Sequence, residues 1–459
     1  MHLHLPKKIF FFLLSASFAH INAMEKTDAH NCTSALSSYA IDFCDHTAAS
    51  SISKQIQRLT KNNFCYVLEN YLTDNSFILS FQEALKNGAQ VNIIIDANPG
   101  TAAQELTKKN IKSLATAGAT IYLFNKEKKI NSNKFPTKLH TKAIIWTNTH
   151  DELTSYNSWF GSRNLSKNEQ HEKNGNCMLR STIPEIYQQI FNHFTSLITF
   201  AHQIDKNGNI IAASKQASSL NVIREQALKT HRSHFPQTIM IDSSLEYNIN
   251  ASIATCFKDE QITQLYISVF NIDDFVILNS LEQAARKGVL KQLIIDGSAF
   301  NYDVKEEFKK NTKRSVSIKQ LMANEVDVRI FNPQGSEKTE DEYYDALTLN
   351  KLYAHSAPII AHEKLFFAKK KDDSTLVGLG SANFTYVNNH DVNFWAYIPN
   401  QPQFASTVFD YLQETAKKSS PLSKLLRTNS INISSFFAKK RKSDNISHSN
   451  DNSSQEEDN

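Results

Sequence analysis

The sequence His140-Thr141-Lys142, followed by Gly161-Ser162-Arg163-Asn164, decides the fold, because the same arrangement returns as His362-Glu363-Lys364 followed by Gly380-Ser381-Ala382-Asn383. Two such copies are hard to attribute to chance in a chain with only 11 glycines. Side chains two positions apart in a strand share a face, so each His and Lys are predicted to point together, as are each Ser and Asn. The pattern predicts an imidazole, a cation and hydrogen-bond donors on adjoining strands, twice over.

The rest of the chain repeats in the same order. Ile94-Ile95-Asp96 returns as Ile294-Ile295-Asp296, an offset of 200 residues (296−96), and the Pro-led helices at Pro184 and Pro402 lie 218 apart (402−184). The sequence therefore predicts an α/β fold of two pseudo-symmetric α/β repeats. Each repeat is a mixed β-sheet flanked by helices, and the two His-x-Lys units meet in one site at the interface.

The predicted organisation has five segments. They are a signal peptide (1–23), a first repeat (24–204), a linker (205–221), a second repeat (222–415) and a disordered tail (416–459). Residues 24–60 are expected to be a short helical or irregular lead-in. An insertion at 333–360, which the first repeat lacks, is either a wall of the substrate cleft or surface decoration.

Overall charge and cysteine spacing leave most function classes open. The chain has 459 residues and a net charge of only +4, which does not by itself indicate a nucleic-acid binder. Its five cysteines include no spacing typical of zinc sites, so neither a metal nor a cofactor is expected. Cys32 and Cys44 could pair if the protein is exported, and buried free thiols are the alternative.

Both ends carry targeting-like features. Lys7 and Lys8 precede an apolar run and small residues ending at Ala23, which predicts export to the periplasm or medium by a signal peptide. A buried strand or a membrane anchor is the alternative, although the run is short for a membrane span. In the tail, residues 433–437 resemble a sliding-clamp-binding peptide and precede a basic run at 439–442, so nuclear targeting in a host is a further hypothesis.

The repeated residues suit attack on a phosphodiester. One imidazole can act as the nucleophile, which gives a phosphohistidine, while the second acts as acid and then as base. Lys142 and Lys364 would supply positive charge, and Asn164 and Asn383 would hydrogen-bond the phosphoryl oxygens, as would the hydroxyls of the substrate-binding candidates Ser162 and Ser381. The candidate catalytic set is thus His140, Lys142, Asn164, His362, Lys364 and Asn383.

The doubled motif resembles that of the phospholipase D superfamily, and the resemblance covers most of residues 60–415. It implies one metal-independent active site between the repeats, with His140 as the nucleophile and His362 as the acid and base. It also implies an acidic residue after each Gly-Ser-x-Asn that orients a histidine, a role predicted for Asp391 and, in the first repeat, for Glu172 near Asn176. The aspartate expected five positions after each lysine is replaced by Thr147 and Lys369.

Three functions follow from this resemblance. The preferred one is hydrolysis of phospholipids, with peripheral membrane contact, supported by export and by aromatic residues near the second motif (Phe366, Phe367 and Trp395) that could be exposed or core. The second is a nuclease, for which lysine runs at 126–138 and 369–371 could hold a phosphate backbone. The third, motivated by Thr147, Lys369 and Asn176, is a catalytically degenerate protein that binds phosphate-bearing partners.

Overall fold

The structure is a computed structural model. It describes residues 41–44, 48–97, 101–124, 138–150, 153–166, 176–214, 220–234, 236–300, 304–331, 362–386 and 391–427, all within one compact unit. The predicted signal peptide, Cys32, the lysines at 126–134, the insertion at 333–360 and the clamp-like peptide lie outside the described residues.

The first half alternates strands and helices. Its elements are β1 (Ile41–Cys44), α1 (Ala48–Gln57), β2 (Phe64–Glu69), α2 (Asn75–Lys86), β3 (Gln90–Asp96), α3 (Thr101–Thr116), β4 (Thr120–Phe124), β5 (Ala143–His150), β6 (Leu153–Gly161), β7 (Met178–Ser181), α4 (Pro184–Ile198), β8 (Ala201–Ile204) and β9 (Ile210–Ala212).

The second half repeats this order. After α5 (Leu220–Ala227) come β10 (Met240–Ser243), α6 (Ile249–Lys258), β11 (Ile262–Val269), α7 (Phe275–Arg286), β12 (Leu290–Asp296), a 3-10 turn (Gly297–Ala299), α8 (Val304–Lys309), α9 (Lys313–Ala323), β13 (Asp327–Phe331), β14 (Lys364–Lys370), β15 (Thr375–Gly380), β16 (Phe394–Pro399), α10 (Pro402–Lys417), β17 (Ser420–Pro421) and α11 (Leu422–Arg427).

The strand order shows that the duplication extends through both sheets. The first sheet runs β1-β7-β6-β5-β2-β3-β4-β8-β9 and the second runs β10-β16-β15-β14-β11-β12-β13-β17, so the first eight positions correspond. In each sheet a parallel trio, β2-β3-β4 or β11-β12-β13, joins an antiparallel group. This confirms the predicted fold class of two mixed-sheet α/β repeats.

Local sequence explains where the paired helices begin. Asp74 accepts a hydrogen bond from Ser76 N at the start of α2, and Asp274 accepts from Val276 N and Ile277 N at the start of α7. Pro184 and Pro402 stand at the first positions of α4 and α10, where proline is favoured because its missing N–H is not needed there. The two repeats therefore use the same helix-start signals.

An apolar core joins the two repeats. It contains residues from β5, β6 and α4 of the first repeat and from β14, β15, β16 and α10 of the second. Phe160 and Phe394 meet edge to face across this core, with ring centroids 5.2 Å apart. Phe366, Phe367 and Trp395 are all buried, so these aromatics belong to the core and offer no lipid contact.

Three segments differ from the prediction. The lead-in contains β1 and α1, and β1 pairs with β7 at the edge of the sheet. The predicted linker contains β9, which pairs with β8. Residues 416–427 are folded rather than disordered, because Leu422 and Leu426 of α11 bury their side chains against the second sheet. Within the described residues, no helix is both long and apolar enough to cross a bilayer.

The repeats fill one equivalent core position by exchanging large and small residues. In the first sheet Trp159 lies opposite Ile144, whereas in the second Gly378 lies opposite Phe366. A Cβ atom on Gly378 would be 2.1 Å from Phe366 Cε1, well inside contact distance.

We therefore predict that Gly378→Ala destabilises the protein by about 1–3 kcal/mol, since an added methyl overpacks this core. Chemical denaturation of Gly378→Ala, Phe366→Leu and the double variant measures this as a double-mutant cycle. A double variant less destabilised than the sum of the single variants is expected, and strict additivity would contradict the proposed clash.

Candidate active site

The two repeats exchange backbone hydrogen bonds at the segment that precedes His140. Leu139 forms a parallel bridge with Val392 of the second repeat, and His140 N donates to Val392 O at 2.8 Å. Val392 N in turn donates to Lys138 O at 2.7 Å. His140 is therefore held at the interface by the chain of the opposite repeat.

Each imidazole is hydrogen-bonded to an asparagine from the other repeat. His140 Nδ1 lies 3.0 Å from Asn393 Oδ1, and His362 Nδ1 lies 3.2 Å from Asn176 Oδ1. A carboxamide oxygen only accepts hydrogen bonds, so each Nδ1 must carry the proton. In a neutral ring this leaves the lone pair on Nε2, the atom available to attack an electrophile.

The serines of Gly-Ser-x-Asn support these asparagines. Ser162 Oγ donates to Asn176 Oδ1 at 3.2 Å, and Ser381 Oγ donates to Asn393 Oδ1 at 2.9 Å. Both serines are fully buried. Their hydroxyls thus help to hold the asparagines in place, and their direct contact with substrate stays a prediction.

Two buried ammonium groups complete the symmetric set. Lys142 Nζ donates to His140 O at 2.7 Å, and Lys364 Nζ donates to His362 O at 2.6 Å. The two lysines are fully buried. The motif side chains thus lie at strand ends, since Lys142 precedes β5 and Lys364 begins β14.

Burial lowers the pKa of both histidines. It is the largest cause for His140 and for His362, and the charges of Lys142 and Lys364 lower both values further. The hydrogen bond that His140 donates to Asn393 opposes the shift, because it favours the charged ring. Both rings are therefore neutral at physiological pH, and each lysine acts on both, which places the four groups in one site.

The side-chain oxygen of each motif asparagine is not used by the protein fold. Asn164 Oδ1 and Asn383 Oδ1 are buried and accept no hydrogen bond. Rotation of a carboxamide by 180° exchanges its oxygen and nitrogen, so either amide can present two N–H donors at that position. This arrangement suits an incoming oxyanion.

The orienting role predicted for Asp391 is corrected by the structure. Asp391 Oδ1 accepts a hydrogen bond from Lys138 N at 3.1 Å, two residues before His140, while Asn393 contacts the imidazole. Burial raises the pKa of Asp391 to about 6. Glu172, predicted for the first repeat, lies outside the described residues, and Asn176 contacts His362. Both contacts to histidine are made by neutral amides.

Sequence spacing explains why Asn393 was missed. Asn176 follows Ser162 by 14 positions (176−162), whereas Asn393 follows Ser381 by 12 (393−381). The loops between them differ by two residues, so counting from Gly-Ser-x-Asn does not align the two asparagines. The apolar strands that follow give the useful signal, because Asn176 stands two positions before β7 and Asn393 stands one position before β16.

Two buried carboxyl groups near the lysines were also missed. Burial raises the pKa of Glu69 to about 8, against the opposing charge of Lys142. Burial also raises the pKa of Glu363 to about 7, although Ser268 Oγ donates to its Oε1 at 2.8 Å. Neither has an acidic counterpart, since Thr141 stands at the position of Glu363, and Val269 stands at that of Glu69. The electrostatics of the two halves therefore differ.

The departures from the family pattern at Thr147 and Lys369 lie away from the histidines. Thr147 Oγ1 accepts a hydrogen bond from Phe64 N at 2.9 Å, and Lys369 Nζ pairs with Asp373 at 2.7 Å. Lys369 is five residues along β14 from Lys364, about 17 Å at the rise of an extended strand. Each of them stands five residues beyond its motif lysine, on the strand that carries it away from the imidazoles.

No group of three or more His, Cys, Asp or Glu side chains suited to a metal ion occurs in the part of the chain that the structure describes. Cys65, Cys177 and Cys256 are buried free thiols.

Comparisons with known proteins identify a related family and similar folds. Residues 55–198 match a family model described as "Cardiolipin synthase, PLD-like domain". Among curated proteins, no sequence matches the chain.

Three solved structures are similar to this chain. Phosphatidylserine synthase from Haemophilus influenzae is 12% identical, with a TM-score of 0.55 over 83% of this chain and 87% of that one. Polyphosphate kinase from Porphyromonas gingivalis is 11% identical, with a TM-score of 0.49 over 86% of this chain, which spans about half (53%) of the kinase. Yeast tyrosyl-DNA phosphodiesterase is 10% identical, with a TM-score of 0.32 over 74% of this chain and 82% of that one. At 12% identity, the likeness to the synthase concerns the fold alone.

The cross-repeat pairs predict that replacing one asparagine changes the pKa of only the histidine it contacts. In Asn393→Asp a carboxylate would stabilise the charged form of His140 and raise its pKa, and Asn176→Asp would do the same for His362. Histidine NMR titration of the ¹⁵N-labelled protein should show both rings titrating below pH 6.5 in the wild type, with one ring shifted upward in each variant. Asn393→Asp moving His362 instead would contradict the pairing.

The raised pKa of Glu363 predicts that the stability of the protein changes with pH. Its pKa is raised from 4.5 to about 7, so its protonated form favours folding, and this stability is lost as pH rises from about 4.5 to 7. Glu363→Gln should remove that loss, so its melting temperature relative to wild type should rise between pH 5 and pH 8. Glu246→Gln, which changes a carboxylate exposed on the surface, is the control. A difference in melting temperature between Glu363→Gln and wild type that is constant with pH would refute the raised pKa of Glu363.

Proposed function

Because this chain belongs to the phospholipase D superfamily, we propose that it is an exported phosphodiesterase that hydrolyses phospholipids through a phosphohistidine. The observation that carries the proposal is the paired arrangement in which His140 and His362 are each held, Nδ1 protonated, by an asparagine of the opposite repeat. It gives one site two neutral imidazoles whose Nε2 atoms can act on a phosphodiester.

In the first step, Nε2 of His140 attacks the phosphorus atom. An N–P bond forms as the bond from phosphorus to the leaving alcohol oxygen breaks, and protonated His362 gives its Nε2 proton to that oxygen. In the second step, neutral His362 takes a proton from water while the water oxygen attacks phosphorus. The N–P bond then breaks, which releases phosphate monoester and returns both residues to their starting states.

The buried cations reconcile this scheme with the lowered pKa values. His362 must be protonated to act as an acid, yet burial and the two lysines disfavour its charged form in the free protein. A bound phosphodiester carries a negative charge, which offsets Lys142 and Lys364 and stabilises the imidazolium. Substrate binding would therefore raise the pKa of His362 at the step that needs its proton.

Two observations favour a phospholipid as the substrate. The matching family model and the similar synthase structure both carry names of phospholipid enzymes. The lysines at 369–371, which could have served a nuclease, lie at the far end of β14, and Lys370 lies 3.9 Å from the carboxylate of Asp259. A nuclease and a phosphate-binding protein without turnover are the alternatives. Export, nuclear targeting and clamp binding stay predictions from sequence.

Purified protein should be incubated in EDTA with phosphatidylcholine, cardiolipin, single-stranded DNA and RNA. Turnover of a lipid is expected, and His140→Asn should lower it at least about 100-fold, because the attacking group is lost. His234→Asn, at an exposed histidine, is the matched control and should retain activity.

The same experiment separates the alternatives. Cleavage of DNA or RNA alone would replace the proposal by the nuclease, and no cleavage of any substrate would favour the phosphate-binding protein. Mass spectrometry of quenched reactions should map a phosphohistidine to position 140. A phosphohistidine at position 362 would reverse the roles of the two histidines.

A further inference from the structure

Three exposed apolar side chains stand beside the second-repeat half of the site. Phe275 and Val276 begin α7 and are 66% and 44% exposed, and Tyr386, just after the second Gly-Ser-x-Asn, is 58% exposed. We call these three residues the apolar rim. They are three of the seven large hydrophobic residues exposed in the described part of the chain, so such exposure is concentrated here.

Hydrogen bonds tie the apolar rim to the catalytic loop. Tyr386 N donates to Asp273 Oδ1 at 2.8 Å, two residues before Phe275. Asp273 N and Asp274 N both donate to Phe384 O, at 2.9 and 3.0 Å, and Phe384 directly follows Asn383. The two segments of the rim are therefore held together, next to the amide expected to contact the phosphoryl group.

The first repeat is polar at the matching positions. With the offset of 200 residues, Asn75 and Ser76 correspond to Phe275 and Val276 and begin α2 in the same way. The contrast continues inward, because Phe270 packs against His362 with ring centroids 5.1 Å apart. Its counterpart Asn70 instead has a buried side-chain oxygen that accepts no hydrogen bond. A helix can start here with polar residues, so the fold does not require the apolar rim.

Basic residues stand near Arg314, which contacts the turn before the apolar rim. Arg314 Nη1 donates to Asn271 Oδ1 at 3.2 Å, which places the start of α9 against the turn that leads to Phe275. Lys309, Lys310 and Lys313 are exposed around this helix start. The opposing exposed carboxylate of the turn, Asp273, accepts the hydrogen bond from Tyr386.

We propose that the apolar rim docks on a phospholipid bilayer that contains anionic headgroups. Phe275, Val276 and Tyr386 would enter the boundary between headgroups and acyl chains, while the neighbouring lysines meet the negative surface. The acyl side of a substrate would then lie over the apolar second repeat, and its headgroup would lie over the polar first repeat. This orientation rests on the proposed function, whereas the docking itself does not.

The test exchanges the two rim residues of α7 for those of the first repeat. The variant Phe275→Asn/Val276→Ser keeps a helix start that the chain already uses, and Leu79→Asn removes an equally exposed apolar residue (64%) from α2 as the matched control. All proteins carry His140→Asn, so that lipid is not consumed. Sedimentation with phosphatidylcholine vesicles, with and without phosphatidylglycerol, measures binding, and melting temperatures check folding.

Binding to vesicles that contain phosphatidylglycerol should weaken at least roughly tenfold in the exchange variant, because an apolar side chain no longer leaves water. The Leu79→Asn control should bind like its parent, with all melting temperatures alike. Equal binding by the exchange variant, or no vesicle binding by the parent, would overturn the proposal. An exchange variant that loses binding to single-stranded DNA, when the parent does not bind vesicles, would overturn it too.

Turnover of a short-chain phosphatidylcholine as dissolved monomers tests the proposed function separately, with His140 restored. Vesicle binding that depends on the rim, with no turnover of the monomer, would retain the docking surface and reject the lipid hydrolase.

Discussion

Each imidazole of the site is held by a carboxamide from the opposite repeat, His140 by Asn393 and His362 by Asn176. Because the amide oxygen can only accept, one contact sets the ring tautomer, its orientation and the position of the Nε2 lone pair. Neither repeat contains a complete site. The interface must therefore form before either histidine is usable, which joins the chemistry of the protein to the apolar core between the repeats.

The same burial that builds the site changes its charges. Two ammonium groups and two neutral imidazoles are brought together away from water, where charge is costly unless it is compensated. The lysines donate to the backbone carbonyls of the motif histidines, and the imidazoles respond by staying neutral. In the function proposed for this site, the negative charge of a phosphodiester would offset that of the lysines.

Duplication has preserved the backbone while the side chains of the two repeats have diverged. Trp159 and Ile144 occupy the space that Gly378 and Phe366 fill in the second repeat, so core volume is conserved by exchange. Nearer the site the two repeats differ in polarity, because Asn70 in the first repeat corresponds to Phe270 in the second. An asymmetric substrate can use this difference, because its polar and apolar parts meet different walls.

The sequence by itself determined the duplication, the mixed-sheet fold and the six repeated His, Lys and Asn residues, since strand period and motif spacing are local properties. It placed the family's orienting role on Asp391, because loops of unequal length conceal the match between Asn176 and Asn393. Only the tertiary structure decided which amide meets which histidine, across separations of 253 and 186 residues. It also decided that Lys369 lies far from the site, that Phe366 is core, and that Phe275 is exposed, because these depend on how strands pair and which faces the repeats bury against each other.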